Sequence, residues 1–112
     1  MFATRPDEIW GGTGDDTINL SADTEIDTLG FIAGSGDDTV GGFEAGVDGD
    51  VIDISAYGIA ATTIGQMVDL GYLSGVAGVV TIDLDPADAT STDLINVTIA
   101  NGENLTLDNF IL

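Results

Sequence analysis

The chain has 112 residues, a length suited to one domain, and sets twenty acids (16 Asp, 4 Glu) against a single base, Arg5, for a formal charge of −19. Lys, His and Cys are absent. The clustered cations of a nucleic-acid or anionic-membrane binder, the usual nucleophiles and general bases, and the ligands of a zinc site are therefore missing. Such a charge is common in disordered chains, yet 44% hydrophobic residues and a mean hydropathy of +0.31 are enough for a core. The surface must then be anionic, and it repels itself unless something cationic is bound.

Residues Met1 to Asp7 lack the apolar region of a secretory signal, and no apolar run reaches the roughly 18 residues that span a membrane. A cysteine-free composition fits a protein that leaves the cell without relying on disulfides. From residue 7 to 55 the chain repeats. Gly11-Gly12-Thr13-Gly14-Asp15-Asp16-Thr17-Ile18-Asn19 aligns without gaps on Ala33-Gly34-Ser35-Gly36-Asp37-Asp38-Thr39-Val40-Gly41. Each is a glycine-rich turn, an acidic pair and a short β-branched strand. Weaker copies keep the order Asp, any residue, apolar: Asp7/Ile9, Asp27/Leu29 and Asp50/Ile52. The aspartates at 7, 16, 27, 38 and 50 are 9, 11, 11 and 12 residues apart, and alternation continues in Ile18/Leu20, Leu29/Phe31 and Ile52/Ile54.

Units of this kind are too short to bury anything alone and are expected to stack as a short parallel solenoid. Glycines permit the positive φ that lets the carbonyl oxygens of a tight turn converge, and the final Asp adds a carboxylate. Such an oxygen set suits a hard cation, Ca²⁺ better than Mg²⁺. Phosphate cradling would need a following helix and usually a Lys. An EF-hand would need a glutamate at the twelfth position of its loop, and none closes such a series here. A catalytic carboxylate pair needs a cleft that so short a chain has little room for. Trp10, before the first turn, is expected to make an edge or cap contact. The sequons at Asn19, Asn96 and Asn104 follow from a Thr- and Asn-rich strand composition.

Residues 11–19 match the G-G-x-G-x-D-x-U-x nonapeptide at every fixed position, and 33–41 miss only the first glycine. In this the chain resembles the RTX calcium-binding proteins. The resemblance implies turns on alternate sides of a flattened roll, with Ca²⁺ between turns stacked on one side. The turns at 11–16 and 33–38 are two units apart and should stack. The metal would be held by Asp16, Asp38 and backbone oxygens of the turns, Gly11, Gly12, Thr13, Gly14, Gly34, Ser35 and Gly36. Turns ending at Asp27 and Asp50 could form a second site, although their sequences depart from the repeat. No metal is expected at the Asp7 turn, which carries Arg5 and Pro6.

Past residue 55 the repeats stop; 13 of the 20 acids precede that point. Residues 62–73 read as one short helix, with Thr63 and Gln66 at capping-box spacing, an apolar face of Ile64, Met67, Val68 and Tyr72, and Gly71 ending it. Val80, Ile82 and Leu84 alternate as a strand, residues 86–93 form a loop, and Ile95, Val97 and Ile99 alternate again. Asn101-Gly102 predicts a hairpin with a return strand through Leu105 and Leu107. Gly42-Phe43-Glu44-Ala45-Gly46, Asp50-Val51-Ile52-Asp53-Ile54-Ser55 and the terminal Asp108-Asn109-Phe110-Ile111-Leu112 resemble the C-terminal target domain of type I secreted proteins. Two extra residues, Asp48 and Gly49, interrupt that match, and Ile54 stands where Leu is usual.

Together these features predict an all-β chain: a short parallel β-roll (an RTX-type solenoid) over residues 1–56, then a C-terminal β-rich cap over 57–112 with one short helix and an antiparallel hairpin. The expected function is that of a secreted, non-catalytic bacterial protein that folds on Ca²⁺ outside the cell as an extracellular structural subunit of a surface layer, matrix or filament. The alternative is a C-terminal folding and export module of a larger type I secreted enzyme or adhesin. Expected partners are calcium ions, other copies of the chain and, during export, the type I secretion machinery; nucleic acid and membrane insertion are not expected.

Overall fold

Short strands with one or two inward side chains carry the architecture of the residues that the computed structural model describes, namely 2–3, 8–10, 12–20, 26–32, 34, 36–46, 49–85 and 93–112. In chain order they are β1 (Phe2–Ala3), β2 (Glu8–Trp10), β3 (Thr17–Leu20), β4 (Thr28–Gly30), β5 (Asp37–Phe43), β6 (Val51–Asp53), β7 (Val79–Asp83), β8 (Leu94–Ile99) and β9 (Phe110–Ile111). One helix, α1 (Ile64–Asp69), and two 3-10 turns (Ser55–Tyr57 and Leu107–Asn109) lie among them.

Successive strands of the first half alternate between two sheets. One has the order β1-β3-β5-β8-β7, the other β2-β4-β6-β9. Neighbours are parallel except β7, which runs antiparallel to β8. The registers follow the Asp-x-apolar frame. Ile18 pairs with Val40 and Val40 with Val97; Ile9 pairs with Leu29, Leu29 with Ile52 and Ile52 with Phe110. All of these side chains are buried and belong to one hydrophobic cluster. The second inward residues, Leu20, Phe31 and Ile54, join them, as the alternation requires. A strand of three residues cannot stand alone, so stability comes from stacking. Replacing a fully buried member such as Leu29 by Ala should cost about 2–5 kcal/mol.

Trp10 makes the expected edge contact. It lies on β2, an outer strand, with its ring where a Cβ on Gly30 would stand. Its Nε1 donates to Glu8 Oε1 at 2.8 Å.

Several expectations are corrected. The molecule is a compact fold of the α/β type, built on parallel strands with short helices between them; it is not an all-β, short parallel β-roll followed by a β-rich cap. The reason lies in the second half: β8 and β9 extend the two sheets that the first half begins, and the five-stranded sheet becomes mixed through β7. The hairpin at Asn101-Gly102 does not form. Both edges of β8 are taken, by β5 and β7, so a return strand has no edge to pair with. Leu105 is instead a buried loop residue whose N–H donates to Val76 O at 2.7 Å, and Leu107 starts a 3-10 turn.

The helix is shorter than predicted. Thr63 caps α1, accepting from Gln66 N at 3.2 Å, while Gln66 Oε1 reaches back one residue further, to Thr62 N at 2.8 Å. Its one buried residue is Met67; Val68 is exposed. Leu73, the last residue of the segment read as helical, instead bridges to Ile82 on β7.

Candidate metal site between stacked turns

β3 and β5 are each entered through a glycine turn, and strand register stacks the two. Gly12 and Gly14 precede β3 with φ of 85° and 88°; Gly34 and Gly36 precede β5 with 84° and 83°. The two turns thus match at these glycine positions, and an L side chain there costs about 1–2 kcal/mol. Thr17 pairs with Thr39, which sets one turn on the other. Asp37 N donates to Asp15 Oδ1 at 2.9 Å, Thr39 N to Asp16 O at 2.9 Å, and Asp16 N to Asp38 Oδ1 at 2.9 Å. A Cβ on Gly36 would lie 2.7 Å from Gly14 O and 2.8 Å from Asp15 Oδ1. The Gly14 carbonyl thus faces the upper turn at a distance only glycine allows.

The Gly14 carbonyl and the Asp38 carboxylate both reach across between the two turns. Asp38 is wholly buried and Asp16 partly so. Asp16 Oδ2 is itself buried, and no described residue donates a hydrogen bond to it. A buried acceptor left in that state costs about 1–3 kcal/mol, more when charged, and a bound cation removes the cost. No group of three or more acidic side chains able to hold a metal occurs among the described residues. An ion here would accordingly need backbone oxygens beside the Asp16 and Asp38 carboxylates, a mixture suited to Ca²⁺.

A third layer closes this row. Asp93, just before β8, accepts from Gly34 N at 2.9 Å and Gly36 N at 3.3 Å. Tyr57 Oη donates to Ile32 O at 2.7 Å and lies 3.3 Å from Asp93 Oδ2. Asn96 Nδ2 donates to Asp37 Oδ1 at 2.7 Å, and its Oδ1 accepts from Thr81 Oγ1 at 3.1 Å, linking the acidic pair to β7.

The second row, before the four-stranded sheet, holds Asp27 and Asp50, 1% and 2% exposed. Asp27 N donates to Asp50 Oδ1 at 3.0 Å, repeating the Asp16–Asp38 bond, and Glu44 N donates to Asp50 Oδ2 at 2.9 Å. Amides then fill the turn around residues 44–46. Asn109 accepts from Gly46 N at 2.9 Å and donates to Gly46 O and Asp50 O at 3.0 and 2.8 Å. Asn101 donates to Ala45 O at 3.0 Å and accepts from Ala45 N at 3.3 Å.

Of the residues predicted from sequence, Gly12, Thr13, Gly14, Asp16, Gly34, Gly36 and Asp38 fall in the first row. Asp27 and Asp50 fall in the second, and Gly11 and Ser35 lie outside the described residues. Sequence reasoning missed Asp93, Tyr57, Asn96, Asn101 and Asn109. A signal existed for the last: Asp108-Asn109-Phe110 repeats the Asp-x-apolar order of Asp50-Val51-Ile52, and Phe110 pairs with Ile52.

Compared with known proteins, the chain matches no family model, no curated protein and no solved structure. Among the described residues no helix is long and apolar enough to cross a membrane.

Proposed function

We propose that this chain is a secreted, non-catalytic calcium-binding protein that is stabilised by Ca²⁺ outside the cell and serves there as a structural subunit. The observation that carries calcium binding is the pair of stacked turns at 12–16 and 34–38: the Gly14 carbonyl faces the upper turn, the Asp38 carboxylate reaches Asp16 N, and Asp16 has a buried oxygen that receives no hydrogen bond from the described residues. The charge of −19 supports it, since cation binding relieves repulsion among stacked acids. Extracellular Ca²⁺ modules typically have Kd of about 10⁻⁴–10⁻³ M, so such a site fills outside the cell and empties inside it. Binding to the folded chain then drives folding by mass action.

Isothermal titration with CaCl2, alongside circular dichroism in chelator and in millimolar Ca²⁺, tests this. Heat of binding and a gain in stability that MgCl2 does not reproduce are expected. Absence of both up to about 10 mM Ca²⁺ overturns it.

A second reading has one observation in its favour: β1 and β2 are outer strands of the two sheets, where a longer chain would continue both. On it the residues form a folding and export module of a larger type I secreted protein. Electron microscopy in Ca²⁺ separates the two, with fibres or layers for the subunit and dispersed monomer for the module.

A further inference from the structure

We propose that Asp93 is a positioning residue for the calcium site between the turns: it shapes the upper turn from the layer above and touches no ion itself. This rests on calcium binding in the gap below that turn. The strand order β3-β5-β8 places Asp16, the 34–38 turn and Asp93 in three successive layers, so Asp93 lies across the turn from the gap. Its register differs from that of the acids below. Ile95 pairs with Asp38 and Val97 with Val40, so the third layer puts an apolar residue where the lower layers have Asp38 and Asp16. The carboxylate row ends at Asp38, and Asp93 reaches back to the turn instead.

The contacts are those of an anion in a turn. Gly34 and Gly36 are both left-handed, and backbone N–H groups of such turns form a concavity that takes a negative group. Here the protein supplies its own, with Asp93 Oδ2 on Gly34 N and Oδ1 on Gly36 N. Two bonds to one planar carboxylate fix the relative orientation of two peptide groups. Leu94 N adds a third tie, to Gly36 O at 3.1 Å, and the Tyr57 hydroxyl braces Asp93 against Ile32 O. The upper turn is thereby shaped before any ion arrives, which is how groups behind a metal's ligands raise affinity.

The test compares calcium titrations of the whole chain as wild type, Asp93→Ala, Asp93→Glu, Tyr57→Phe and Asp16→Asn. Asp93→Ala is expected to keep the wild-type stoichiometry and weaken Kd about tenfold or more. Asp93→Glu, which retains a carboxylate, should recover part of that loss, and Tyr57→Phe should weaken binding about threefold. Asp16→Asn, at a ligand, should lower the stoichiometry. In calcium-free wild type the Gly34 and Gly36 amides should be protected from hydrogen exchange, a measurement that stands even if Asp93→Ala does not fold. Unchanged affinity in Asp93→Ala, a stoichiometry lowered by that variant, or unprotected Gly34 and Gly36 amides overturns the positioning role. A wild type that binds no Ca²⁺ removes the site itself, and with it this role. Failure of the Asp93 role alone leaves wild-type binding intact.

Discussion

In the row of turns before the five-stranded sheet, glycines at matching positions shape the backbone and bring the Gly14 carbonyl against the turn above. In the row before the four-stranded sheet, the same Asp-on-backbone bond recurs, but the 44–46 turn is filled by the amides of Asn101 and Asn109. The Asn109 side chain donates to two carbonyl oxygens and accepts a backbone N–H within one turn. A neutral amide there does much of what a cation would do, drawing carbonyl oxygens together, and it does so at any calcium concentration. Both Asp50 oxygens also accept backbone N–H groups. One turn of the second row is thus drawn together by the protein's own amides, while the first row stacks two glycine turns with matching left-handed positions.

The sharpest way to break this contrast is Asn109→Ala. It removes a fully buried side chain and strands partners on Gly46, Asp50 and Thr106, so unfolding in urea should show a loss of about 3–5 kcal/mol. The loss should be equal in chelator and in Ca²⁺. A loss seen only in chelator would mean that calcium substitutes for the amide and that the rows are alike.

Next in size is the calcium response of the first row. With a Kd of about 10⁻⁴ M, 10 mM Ca²⁺ stabilises the fold by about 2.7 kcal/mol. Asp16→Asn should remove most of that increment. Asp50→Asn should lower stability in chelator yet keep the increment. If Asp50→Asn abolishes it too, the second row binds calcium as well, as the departures from the nonapeptide still allowed.

The smallest effects come from the glycines. Gly14→Ala places a methyl in open space at positive φ and should cost about 1–2 kcal/mol. Gly36→Ala meets the Gly14 carbonyl in addition, so thermal unfolding should show it as the more damaging by about 1 kcal/mol. Equal costs would mean that the turns do not approach each other this closely.

Much of the first half was legible in the order of its residues. Asp-x-apolar spacing located Ile9, Ile18, Leu29, Val40 and Ile52, and their pairings follow it, because a one-residue slip would turn each inward side chain to solvent. The glycine turns were legible for the same local reason. Less of the second half could be read. Asn101-Gly102 is a strong hairpin signal, and Gly102 does take a left-handed φ of 71°, yet the signal says nothing of whether β8 has a free edge.

The sequence by itself therefore determined the turns, the strand frame and the stacking of like turns, since these depend on φ preferences and on an alternation of period two within a few residues. Tertiary structure alone decided that the second half extends both sheets, and that Asp93 and Asn109 complete turns 57 to 63 residues away in the chain. Those pairings arise because β8 and β9 dock on the open edges of β5 and β6 and carry neighbouring polar groups to buried backbone that must find partners.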